Sequence, residues 1–225
     1  MTDSTTTSDT IKRFGLSERI EHLSLLISFT GLAITGLPQK YAASPISETA
    51  IMLMGGIEIV RIIHRICAVI LMAAAIYHGG SLTYKLFVLR KPPFLLPSLK
   101  DIRDLFDHFR YYLGFSKEHP KMEKFNFEDK AEYWAVVWGT IVMIVTGFFM
   151  WNPIATTRFL PGEVIPAAKA AHGGEALLAV LAIIIFHLYN VLSQGNFSIF
   201  TGYISRRSMK EKHAFELQDI DTGNL

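Results

Sequence analysis

The apolar positions of the chain fall in four long blocks, separated by segments rich in charge, proline and aromatic residues. A helix needs ~20 mostly apolar residues to cross ~30 Å of hydrocarbon. Blocks of about that length or more cover residues 20–37 ("IEHLSLLISFTGLAITGL"), 57–89, 133–151 ("YWAVVWGTIVMIVTGFFMW") and 168–192. The second is long enough to tilt or to project beyond the bilayer. Between the second and third blocks the pattern changes. In "DIRDLFDHFRYYL" the residues Ile102, Leu105, Phe106, Phe109 and Leu113 recur at helical spacing on one stripe, which predicts an amphipathic helix lying along a membrane surface. The expected architecture is an all-α integral membrane protein, a bundle of four transmembrane helices with that amphipathic helix between the second and third. Residues 1–10 ("MTDSTTTSDT") read as a polar, disordered arm. The first nineteen residues lack the short apolar core and small-residue cleavage site of a signal peptide, so the first span itself is expected to direct insertion. No internal repeat or second domain is visible, and residues 1–225 read as one membrane domain.

Composition agrees with this pattern. Half of the residues are hydrophobic, only 19% are charged and the mean hydropathy is +0.30, too oily for a soluble domain of this size. The basic residues are unevenly placed. Arg90, Lys91, Lys100, Arg103, Arg110, Lys117, Lys121, Lys124 and Lys130 lie between the second and third spans; Lys12, Arg13 and Arg19 precede the first; Arg206, Arg207, Lys210 and Lys212 follow the last. The other two connections hold only Lys40, Arg61, Arg65, Arg158 and Lys169. By the positive-inside rule both termini and the middle loop, with its amphipathic helix, are cytoplasmic. The net charge of +2 is therefore a topology signal, and nothing points to nucleic acid. The single cysteine, Cys67, lies inside the second span, so there is no disulfide framework, no Cys-x-x-Cys zinc pattern and no Cys-x-x-Cys-His for covalent haem.

The candidate chemistry is in the histidines. His22 lies in the first span, His64 and His78 in the second, and His172 and His187 in the fourth. The separations of 14 and 15 residues put each same-helix pair on roughly one face and ~21–23 Å apart along the axis. If the second and fourth helices are neighbours, His64 meets His172 near the outer surface, and His78 is level with His187 near the inner one. A single buried histidine is ordinarily a hydrogen-bonded core residue, but several at matched depths point to function, because ionisable groups in spans are costly. Zinc requires four ligands in one small tetrahedron, which the two ends of a helix cannot supply. A proton relay through these histidines and Glu175 requires a polar chain, and "ALLAVLAIII" offers none. Two noncovalent bis-histidine haems, one near each surface, fit the spacing best. The glycines Gly31, Gly36, Gly139, Gly147, Gly173 and Gly174 allow close approach of a porphyrin or of another helix. Arg61 and Arg65 flank His64 as candidate partners of haem propionates. Trp134, Trp151, Tyr133 and Tyr189 read as interface belts.

Five motifs occur in order over residues 12–213: "ERIEHLSLLISFTGLAITGLP", "RIIHR", "KFNFEDKAEYWAVVWGTIVMIVTGFFMW", "AAHGGEALLAVLAIIIFHLYNV" and "GYISRRSMKEKH". Together they resemble the diheme membrane cytochrome b family that includes the formate dehydrogenase gamma subunit and the nickel-iron hydrogenase cytochrome b subunit. The third span looks closest to the branch paired with multihaem cytochromes. The resemblance implies a subunit of a respiratory oxidoreductase in a bacterial or archaeal inner membrane. Two b haems would carry electrons between a periplasmic redox subunit, of iron-sulfur or multihaem cytochrome type, and menaquinone or ubiquinone. It implies His64 and His172 as ligands of the outer haem and His22 with His187 as ligands of the inner one. His78 remains an alternative to His22. It also implies a quinone pocket at "KFNFEDKAEYW", where Asn126 matches the family's asparagine and Asp129 stands where formate dehydrogenase relatives carry an amide. Charging and capping of the helix start would explain Asn126, Glu128, Asp129 and Lys130 as well. The alternative function is a haem-free membrane anchor or proton-conducting subunit that uses the intramembrane histidines and Glu175.

Overall fold

The computed structural model of the protein describes residues 10–90, 95–115, 127–194 and 197–212. Among these residues four helices are long and apolar enough to cross a membrane: Leu16–Lys40, Ile57–Phe87, Asp129–Trp151 and Val164–Ser193. In chain order the elements are β1 (Thr10–Lys12), α1 (Leu16–Lys40), α2 (Pro45–Leu53), α3 (Ile57–Phe87), α4 (Leu99–Tyr112), α5 (Phe127–Trp151), α6 (Pro153–Thr156) and α7 (Val164–Ala182). A π-helical segment (Ile183–Leu188), α8 (Tyr189–Gln194), α9 (Ser198–Thr201), β2 (Tyr203–Ser205) and α10 (Arg206–Lys212) follow. The four apolar blocks are therefore helices, and α1 and the fourth span are longer than the hydropathy pattern marks. The amphipathic segment is α4, and its stripe of Ile102, Leu105, Phe106, Phe109 and Leu113 is exposed. Residues 1–9 of the expected polar arm lie outside the described residues, and Thr10 opens β1.

The chain forms two compact units. One comprises residues 20–88 and 136–196 and holds most of the four long helices. Its burial pattern is inverted relative to a water-soluble bundle. Large side chains such as Ile27, Ile34, Ile62, Ile66, Phe148, Leu178 and Phe186 face outward, whereas the buried positions include Ser28, Thr35 and Thr146. A lipid-facing surface takes apolar side chains, and the polar ones are kept between the helices. Each buried hydroxyl donates to the carbonyl four residues back, at 2.6 Å: Ser28 to Ser24, Thr35 to Gly31 and Thr146 to Val142. The first connection contains α2, started by Pro45 at its first turn and ended by Gly55 and Gly56. Both glycines have φ of 95°, a region open to glycine but strained for other residues, and Gly56 N–H donates to the Ile51 carbonyl at 2.9 Å. The chain can thus reverse and enter α3 directly.

The other unit comprises residues 1–19, 89–135 and 197–225. In it β1 and β2 pair antiparallel, with Ile11 opposite Ile204, and Arg19 donates from Nη2 to the Phe200 carbonyl at 2.5 Å. Met209 is fully buried. Ser98 and Asp101 form a capping box that starts α4, and the free Asp101 oxygen accepts from Lys130 Nζ at 2.7 Å, with both side chains buried. Trp134 Nε1 donates to the Leu95 carbonyl at 2.9 Å, tying the start of α5 to the chain before α4.

Candidate functional site

Two pairs of imidazoles face one another in the helical unit. The His64 and His172 rings, from the first turns of α3 and the middle of α7, have centroids 6.4 Å apart and planes inclined by 59°. The His22 and His187 rings, from α1 and the π segment, have centroids 6.3 Å apart and planes inclined by 37°. A metal–imidazole bond is ~2.0–2.1 Å and the donor nitrogen lies ~1.1 Å from the ring centre, so imidazoles on opposite sides of one ion have centroids ~6.2–6.4 Å apart. The rings of both pairs stand at that distance, so each pair would fit a metal ion held between them. Among the described residues no three His, Cys, Asp or Glu side chains converge on a common point. Each pair brings two imidazoles to one place, with no third such group beside them among the described residues.

The His64–His172 pair is built twice from the same local parts. Thr35 Oγ1 lies 2.9 Å from His64 Nδ1, and Thr146 Oγ1 lies 2.9 Å from His172 Nδ1. The next residue in each case is glycine. A Cβ on Gly36 would stand 3.1 Å from His64 Cε1, and one on Gly147 would stand 3.4 Å from His172 Cε1. A Thr-Gly dipeptide on α1 and another on α5 therefore seat the two rings. Lys40 extends over Gly173, beside His172; a Cβ there would be 3.0 Å from its Nζ. These threonines and Lys40 are contributors that the sequence reading missed. The only available signal is the pair "ITGL" and "VTGF" near the ends of the first and third spans.

At the other end, His22 is the residue whose ring faces His187. His78 instead bonds through Nδ1 to Glu21 Oε2 at 2.8 Å, a pairing absent from the sequence reading. His187 lies in the π segment, where a wider turn sets following residues back from the angle that an uninterrupted helix would give them.

The remaining candidates are distributed as follows. Arg61 pairs with Glu58 at 2.9 Å on an exposed face, and the Arg65 guanidinium stands 5.3 Å from the Trp151 ring centroid, so each has a protein partner. Glu175 lies against Gly139, where a Cβ would be 2.5 Å from its Oε1. Asp129 is exposed in the first turn of α5, and Asn126 lies outside the described residues. Lys130, next to Asp129, holds Asp101 of α4, so this charge has a structural partner beyond the start of its own helix.

Comparisons with known proteins place the chain in a family. The formate dehydrogenase cytochrome b556(fdo) subunit of Escherichia coli (strain K12) is 26% identical over 187 residues, covering 82% of this chain and 80% of that protein. The nitrate-inducible formate dehydrogenase cytochrome b556(Fdn) subunit of the same strain is 23% identical over 216 residues, covering 95% and 93%. The sequence profile of the prokaryotic cytochrome b561 family matches residues 13–201, the stretch that holds every described histidine of the spans. The chain belongs to the prokaryotic cytochrome b561 family: it is a multi-span membrane cytochrome b, a haem b protein of electron transport.

Proposed function

We propose that the protein is the diheme cytochrome b subunit of a respiratory oxidoreductase, with one haem b between His64 and His172 and a second between His22 and His187. The observation that carries this reading is the recurrence of one ring spacing, 6.4 and 6.3 Å, at two positions along α7 and its π segment. Haem b supplies one-electron Fe(III)/Fe(II) chemistry. The chain's residues hold it, exclude water from it and set its electrostatics. Lys40, beside His172, provides a cationic partner for propionates of the His64–His172 haem, in addition to the candidates Arg61 and Arg65.

The distribution of Lys and Arg supports a topology with both termini at the cytoplasmic face of an inner membrane. The His64–His172 haem then lies near the periplasm and the other near the cytoplasm. Electrons pass between a periplasmic redox subunit, of iron-sulfur or multihaem cytochrome type, and quinone, either menaquinone or ubiquinone. The resemblance of the segment "KFNFEDKAEYW", with Asn126 and Asp129, to the family's motif supports a quinone site at the entry to α5.

The test is a haem count with single-histidine variants of the purified chain. Pyridine haemochrome analysis is expected to give two haem b per polypeptide. His64→Ala or His172→Ala should each lose one haem and keep the other, His22→Ala or His187→Ala should lose the other, and His78→Ala should keep both. Loss of a haem from His78→Ala with retention in His22→Ala would overturn the second assignment. Retention of both haems in His64→Ala would overturn the first.

A further inference from the structure

We propose that Thr35 and Thr146 are positioning residues that fix the tautomer of His64 and His172, and through it the potential of the haem that these histidines share. The proposal rests on the ligand reading above. A threonine hydroxyl carries one hydrogen. In Thr35 that hydrogen goes to the Gly31 carbonyl, 2.6 Å away, and in Thr146 to the Val142 carbonyl, also 2.6 Å away, because a carbonyl can only accept. The second contact of each hydroxyl, 2.9 Å to the Nδ1 of its histidine, must then run from Nδ1–H to Oγ1. A neutral imidazole protonated at Nδ1 has its lone pair at Nε2, so both rings present Nε2 as donor to the iron.

Three further features keep this arrangement in place. Thr35 and Thr146 are buried, at 2% and 9% exposure, so water does not compete for the hydroxyl. Gly36 and Gly147 leave room for Cε1 of each ring against the helix backbone, which brings Nδ1 within reach of the preceding threonine. The bond runs between helices in both cases, α1 to α3 and α5 to α7, so the direction of each ring is set by packing and not by its own helix.

A hydrogen bond from the remote N–H raises the basicity of a metal-bound imidazole. This favours Fe(III) over Fe(II), and its removal should raise the potential of that haem alone. The experiment is a spectroscopically monitored redox titration of the full chain in its membrane complex, comparing Thr35→Val, Thr35→Ser, Thr146→Val and Thr146→Ser, with His64→Ala as reference. Each valine variant is expected to keep two haems and to shift the His64–His172 haem to higher potential, with the other haem unmoved. The serine variants, which keep the hydroxyl, should match the unmodified chain. Electron spin-echo spectroscopy of the ferric haem should show an altered remote-nitrogen coupling in the valine variants only. If a valine variant does not assemble, assembly of the serine variant at the unmodified potential supports the proposal, and failure of both overturns it. Equal potentials in the valine variants and the unmodified chain, or equal shifts of both haems, also overturn it. If His64→Ala retains both haems the ligand reading itself fails; if His64→Ala loses one while the valine variants are unshifted, the tautomer proposal alone fails.

Discussion

A Cβ added at Gly31 would lie 2.5 Å from the Cys67 Sγ, closer than any unstrained contact, and the short cysteine side chain has little freedom to withdraw. Gly31→Ala should cost ~1–3 kcal/mol, the range for an overpacked site, read as a lower midpoint in a thermal melt followed at the Soret band. Cys67→Ala in the same chain clears the space and should restore most of the loss; equal midpoints in the single and double variants would show that this contact is not the cause. The same approach at Gly139 meets the end of the flexible Glu175 side chain, so Gly139→Ala should cost less. At this scale the histidines were legible because ionisable residues inside apolar blocks are rare. Spacing alone left His22 and His78 open, and only the resemblance favoured His22, since a spacing of 14 residues in one helix says nothing about which ring on a neighbouring helix turns toward His187. Thr35 and Thr146 were invisible for a related reason: hydroxyl residues are ordinary at helix contacts, and these two acquire their role only from a histidine on another helix.

Elements were more readable than their ties. The four spans and α4 follow from hydropathy and periodicity, but the anchor of α4 does not. Burial on its own would raise the Asp101 carboxyl, yet hydrogen bonds from Lys130 and from the Ser98 backbone and side chain, with the Lys130 charge, outweigh it and hold the group below its ordinary value. A depressed carboxylate contributes stability that is full above the unfolded value of ~3.9 and is lost as pH falls through the lower folded value. Hydrogen exchange in α4 should therefore be insensitive to pH-dependent loosening until pH drops below the usual carboxylate range, once intrinsic exchange rates are corrected. Asp101→Asn leaves Lys130 buried with a weakened partner and should cost ~3 kcal/mol locally, whereas Asp101→Asn with Lys130→Met should recover part of it. Unchanged α4 protection in Asp101→Asn would mean that the pair does not hold this helix. The π segment is the other feature that periodicity misses, because a count at ~100° per residue presumes an uninterrupted α-helix.

For the whole molecule, the charge asymmetry leads to a topology that can be tested directly. A C-terminal green fluorescent protein fusion should fluoresce and a C-terminal alkaline phosphatase fusion should be inactive; active phosphatase would reverse the proposed placement of the two haems and the quinone. The sequence by itself determined that the chain spans a membrane four times, on which connections its positive charge falls, and that imidazoles recur at two levels of its spans. These are properties of one-dimensional patterns, set by the cost of placing polar groups in hydrocarbon and by the fixed rise of a helix. Tertiary structure decided which imidazoles face each other, that Glu21 takes His78, and that a Thr-Gly dipeptide seats each ring of the His64–His172 pair. Those outcomes depend on the rotation of each helix about its axis and on its neighbours, and they are fixed by packing to a few tenths of an ångström, a precision that the spacing of residues along a chain does not contain.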